Sequence, residues 1–168
     1  MRSKPKPKKR ITLRDGLGDF SDEEVNIPGK HIFGEAEAVG RAEVSGEARV
    51  FGEAGVFGYA KISGKAQVFG EAKVFGEAKV FGEAKVFGEA QISGDAQVFG
   101  DAQVFGNAVV TGKAKVFGDA QVFGDAQVFG DARIGGDAVI LGGDWDGSEG
   151  VLTSGTWEAP GVHSYGEE

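Results

Sequence analysis

The chain has 168 residues, of which 30 are glycine and none is cysteine, and it carries a net charge of −8. That length suits a single domain, and the missing thiols exclude disulfides and cysteine chemistry. No apolar run reaches the ~18 residues of a membrane span and no signal peptide is discernible, so a cytoplasmic protein without membrane contact is expected.

Residues 1–14 hold seven Lys or Arg and no acid, whereas residues 15–168 hold 26 acids against 11 bases, a net −15. Six of the basic residues, Arg2, Lys4, Lys6, Lys8, Lys9 and Arg10, are interleaved with Pro5 and Pro7. Such a stretch cannot bury apolar area and reads as a disordered basic arm. These residues are candidate contacts to an acidic surface. No aromatic residue accompanies them to stack on bases, so nucleic-acid contact by the arm is not expected. Residues 15–30 mix Gly16, Gly18, Pro28 and Gly29 with acids and read as a linker or N-terminal cap, with Phe20, Val25 and Ile27 available to cover an apolar end.

From His31 to Ala138 one six-residue phrase recurs 18 times without insertion or deletion, as in Lys-Val-Phe-Gly-Glu-Ala at 73–78. Its second position is aliphatic in every copy except Ala38, its fourth is always Gly and its sixth always Ala. A strict period of six fits neither an α-helix nor a single long strand; it fits a chain that turns a corner every six residues and stacks its coils. Ala78, Lys79 and Val80 are consecutive, so strand alternation puts Ala and Val inside and Lys outside. Val-Phe-Gly-Glu reads as a type II turn with Gly at its third residue, where φ is positive.

Three corners close a triangular coil of 18 residues, and the exceptions to the phrase support that number. Ser45 and Ser63 are 18 apart, as are Ser93 and Thr111, which places each pair one above the other. Eighteen hexads make about six coils, a rod of ~29 Å at ~4.8 Å per coil. The β-helix is expected over 31–143. Beyond it, 144–168 should form a C-terminal cap with a hairpin and a tail, Trp145 and Trp157 covering the open core.

Stacking sorts the third position into columns. Phe33, Phe51, Phe69, Phe87, Phe105 and Phe123 fill one corner without interruption, whereas Ser or Thr replaces Phe in the other two. An unbroken apolar stripe marks a candidate association surface, although rings one coil apart can also stack and stabilise the rod itself. Beside that column run Glu35, Glu53, Glu71, Glu89, Asn107 and Asp125, read as a solvated acidic edge rather than a cation site.

The repeat resembles the hexapeptide-repeat, left-handed β-helix superfamily. Val122-Phe123-Gly124-Asp125-Ala126-Gln127 matches the aliphatic, acidic and small positions of that motif, but its Gly comes one residue late and Phe stands in the usual Gly position. This variant is similar to a subgroup of bacterial and phage hexapeptide proteins loosely described as transferases. The resemblance implies a left-handed coil and a homotrimer. The best-known members are acyltransferases and zinc carbonic anhydrases, but their chemistry does not carry over. The repeat holds one histidine, His31 in the first hexad, with His163 far beyond it, and no loop interrupts the register to enclose a substrate. A general base or a zinc site needs its groups within reach of one another.

The expectation is therefore an all-β, single-stranded parallel β-helix, triangular, with 18 residues per coil. It has no catalytic residue, metal ligand or cofactor and acts as a rigid structural or protein-binding scaffold that self-associates through its Phe corner. Two alternatives stand beside it: an acyltransferase relative whose site forms between subunits, and an acidic decoy for a basic, nucleic-acid-binding partner.

Overall fold

A computed structural model of the chain describes residues 31–148 and 150–158. The basic arm at 1–14, the segment 15–30 and the tail from 159 lie outside the described residues. Within them the protein is a β-solenoid of three parallel sheets, each of seven strands, and contains no helix. The chain visits the sheets in strict rotation. Glu37–Gly40 opens the first, Glu43–Val44 the second and Arg49–Val50 the third, and the next visit to each comes 18 residues later. Glu37 pairs with Gly55, Glu43 with Lys61 and Arg49 with Gln67. The 18-residue coil read from the Ser and Thr exceptions is the coil of the structure.

Most strands are short because only the first two residues of a hexad are extended and the other four make the corner; Glu37–Gly40, Gly55–Gly58 and Val139–Gly142 run to four residues. Position 1 alternates with an inward aliphatic at position 2. From Val50 to Ile140 every aliphatic at position 2 and every Ala at position 6 has essentially no exposed surface. The core is thus a column of Val, Ile and Ala with no buried polar residue among those described. Each fully buried Val contributes roughly 1.5–3 kcal/mol by leaving water.

Backbone hydrogen bonds tie each coil to the next. In the hexad 73–78 the N–H of Lys73 donates to Ala90, that of Phe75 to Ile92 and that of Glu77 to Gly94, all at 2.9 Å. Positions 1, 3 and 5 therefore use the carbonyls of positions 6, 2 and 4 one coil later. This pattern corrects the expected turn. Because the single N–H of position 5 already donates to the neighbouring coil, it cannot close a turn onto position 2, whereas the N–H of position 6 is left to close one. The turn instead begins at position 3: Ala66 N–H donates to Ser63 C=O, and Ala96 N–H to Ser93 C=O, each at 3.4 Å. Gly sits at the second residue of this turn, not the third, with φ of 70° at Gly64 and 67° at Gly94. A positive φ at that place belongs to the primed turn classes. The demand for glycine survives the shift of register.

The C-terminal segment also differs from expectation. Among the described residues of 144–158 no hairpin forms. Asp144–Trp145, Val151–Leu152 and Thr156–Glu158 each pair in parallel with the strand one coil below, adding a seventh, irregular layer. Asp144 aligns with Gln127 and Thr156 with Val139, an offset of 17 rather than 18. The exposed edges of the last regular coil offer unpaired backbone groups, and the shortened coil satisfies them where a hairpin would pair only with itself. Trp145 and Trp157 fall at the core positions above Val128 and Ile140 and meet edge to face, with ring centroids 5.2 Å apart. Two wide rings fill a space that Val and Ala fill lower down.

The corner glycines make a sharp stability test. At Gly100, where φ is 76°, an added Cβ would lie 2.9 Å from the backbone nitrogen of Gly118. Gly142 has no atom within 4 Å of such a Cβ. Gly100→Ala is expected to lower stability by more than ~1 kcal/mol, from the dihedral and the clash together, while Gly142→Ala changes it by less than ~0.5 kcal/mol. Paired thermal melts compare the two.

Candidate functional site

With the interior uniform, whatever distinguishes this protein lies in its outward columns, which the 18-residue register makes straight. In the first corner the rings of Phe51, Phe69, Phe87, Phe105 and Phe123 form one continuous stack. Their centroids are 4.7–4.9 Å apart, the rise of one coil, and successive planes differ by 2–9°. Phe33 stands apart, 49 % exposed and outside the stack. Of the six phenylalanines read from the sequence, the structure brings five together and leaves the sixth, in the first described hexad, outside the stack. The five are half-buried against one another, so the ladder stabilises the rod as well as presenting its outer edge. Each stacked pair adds ~0.5–1.5 kcal/mol beyond burial.

The other corners behave as their residues dictate. Phe81, Phe99 and Phe117 make a shorter stack, and the Phe117 ring lies over Gly135, where a Cβ would run into it. In the corner between them Ser93 Oγ donates to Thr111 Oγ1 at 3.0 Å, so the two residues that replace Phe satisfy each other one coil apart. Gly55 is the one glycine at position 1 of the repeat, and the Phe57 ring folds over it. The bare backbone there leaves a shallow depression of about 200 Å³ bordered by Glu35, Glu37, Glu53 and Lys73. Neither feature was legible beforehand. A glycine at position 1 was the signal, and it was masked by the invariant glycines of position 4.

Charged columns follow the same geometry. Lys61 Nζ lies 3.1 Å from Glu43, and Lys65 Nζ 3.0 Å from Glu83, each pair one coil apart. Asn107 donates to Asp125 at 2.9 Å, easing the upper end of the acidic column beside the Phe stack. Arg41 reaches the Tyr59 hydroxyl at 3.3 Å and lies over its ring. His31 Nδ1 is 2.8 Å from the carbonyl of Ala48, so the ring donates to the backbone at the first coil. Trp145 Nε1 is buried without a hydrogen-bond partner. Among the described residues no group of three or more His, Cys, Asp or Glu is placed to hold a metal ion, and no helix is long and apolar enough to cross a membrane.

Comparison with known proteins agrees with this architecture. Residues 102–118 match a family model described as the YdcK beta solenoid repeat. No match was found among curated proteins or among solved structures. The chain is a β-solenoid repeat protein, and the matched stretch covers three of its strands and the corners between them.

Two measurements check the columns. Phe69→Ser interrupts two stacked pairs and is expected to cost ~1–3 kcal/mol, whereas Phe33→Ser, outside the stack, costs less than ~0.5 kcal/mol. Chemical denaturation of both variants reads the difference. The second concerns Lys65, whose hydrogen bond to Glu83, reinforced by the charges of Glu83 and Glu47, raises its pKa above the ordinary 10.5. A raised lysine value stabilises the fold below pH 10.5 and loses that contribution as pH climbs through the folded value. NMR titration of the Lys65 ammonium should show the upward shift in the native chain, and Glu83→Gln should remove most of it, leaving the part due to Glu47.

Proposed function

We propose that the protein is a non-catalytic, rigid scaffold whose copies associate through the corner carrying Phe51 to Phe123. The observation that carries this reading is the unbroken register from His31 to Ala138. It produces straight columns of side chains on every edge and no loop over any of them. A rod of this kind offers periodic surfaces rather than a cleft, and periodic surfaces suit extended contacts with another protein. The Phe corner is the one edge without a polar interruption in six coils, and a contiguous apolar stripe on a soluble protein usually marks an interface. Its rings are half-buried by their own stacking, so a partner would complete burial that the rod has begun. The resemblance noted from the repeat points to three copies with parallel axes, which would place equivalent edges about a common axis.

Light scattering on the purified chain across a range of concentrations tests this directly. A defined oligomer is expected, and Phe69→Ser combined with Phe87→Ser should shift it to monomer at the same concentration. A monomer at the highest concentration, unaffected by the double substitution, would sink the proposal.

A further inference from the structure

The Phe corner carries more than its rings. In each hexad Phe is followed by Gly and then by an acid, so three columns run side by side along the rod. The first is the stack from Phe51 to Phe123, the second is the glycine after each ring, and the third is Glu53, Glu71, Glu89, Asn107 and Asp125. The middle column is necessarily bare. A Cβ on Gly70 would lie 3.1 Å from the backbone nitrogen and oxygen of Gly88, and φ there is 72°. The outcome is a strip of bare peptide with an aromatic column on one side and an acidic column on the other over five coils, which we call the trough. Ring planes along the aromatic side stay parallel within 9° at each step.

We propose that this trough binds elongated, planar aromatic cations lying along the rod axis. The shape follows from the straight ladder: a flat, stiff molecule can touch several rings at once and still reach the glycine floor, whereas a compact one touches a single coil. The charge follows from the third column. Carboxylates one coil rise apart repel one another, and among the described residues Glu53, Glu71 and Glu89 have no ion-pair partner. A delocalised cation relieves that repulsion with a small desolvation cost, and an aromatic body adds dispersion against the Phe edges. Anionic ligands are turned away by the same wall. The second stack is a poorer site: it has three rings, and Glu83 beside it is already engaged by Lys65. The inference goes beyond self-association and uses an overlapping surface, so a bound second copy would compete with the ligand.

Thioflavin T is a suitable probe, titrated against the soluble full-length chain. Bound dye is counted by fluorescence and by analytical sedimentation, so that only dye travelling with rod-sized particles is scored. Saturable binding is expected. Phe69→Ser with Phe87→Ser should weaken it at least ten-fold. Glu71→Gln with Glu89→Gln alters only exposed side chains and should weaken it several-fold while flattening its salt dependence. Phe99→Ser, in the other stack, should leave it unchanged. No dye on soluble, folded protein, dye found only with sedimenting aggregates, or an equal loss in Phe99→Ser would each overturn the proposal. A chain that stays monomeric yet binds dye would remove the self-association reading and leave this site standing.

Discussion

Everything in this protein depends on the hydrogen bond from one coil to the next at the glycine corner. Glu77 N–H reaches the Gly94 carbonyl at 2.9 Å, and the same bond recurs at coil after coil. For it to form, backbones at the corner must stack at the strand spacing, which leaves no room for a Cβ between them. Glycine is therefore imposed twice, by the dihedral of the turn and by the proximity of the neighbouring coil. The dihedral alone would tolerate an occasional asparagine, but the missing room for a Cβ excludes it; together the two demands account for eighteen glycines in eighteen hexads. The Val and Ala core, the columns of the surface and the straightness of the rod are consequences of holding that distance constant.

Much of this was legible in the chain because each hexad answers the same local problem. Ser93 and Thr111, 18 apart in sequence, disclosed the coil length, and in space they share a hydrogen bond. The inward set was equally plain, since alternation leaves Val80 and Ala78 no other side. The turn was misplaced by one residue because dihedral preference locates glycine but not the carbonyl that closes the turn. That choice is made by the neighbouring coil, which takes up the position 5 N–H. The C-terminal layer escaped for a related reason. Asp144-Trp145 and Thr156-Trp157 keep an inward apolar residue but break the spacing by one residue, and a pattern defined by spacing cannot register a strand that pairs by proximity alone.

The outward side is where sequence reasoning was weakest. Columns could be sorted, yet whether Phe rings point into solvent or onto one another depends on rotamers that no period reveals. The structure resolves this unevenly. Five rings lean together, Phe33 does not, and Phe57 and Phe117 each settle over a glycine that lacks a side chain to oppose them. Charge follows the same rule. Mixed columns settle their repulsion internally, as Lys65 does with Glu83, whereas the acidic run beside the Phe stack has only the Asn107 contact at its upper end. What a solenoid presents to other molecules is thus decided by whichever columns cannot satisfy themselves.

The repeat has six residues while the coil has eighteen, and this mismatch separates the history of the interior from that of the exterior. Slipping the chain by one hexad leaves every Val, Gly and Ala in an equivalent environment, so the core cannot sense it. The same slip carries each outward residue a third of a turn around the axis, moving a phenylalanine out of its column and beside a serine. Gain or loss of a single hexad therefore leaves the core unchanged and costs only what the outward columns contribute, the Phe stack among them. The unbroken Phe edge is a feature that exists in only one phase of the hexad against the coil.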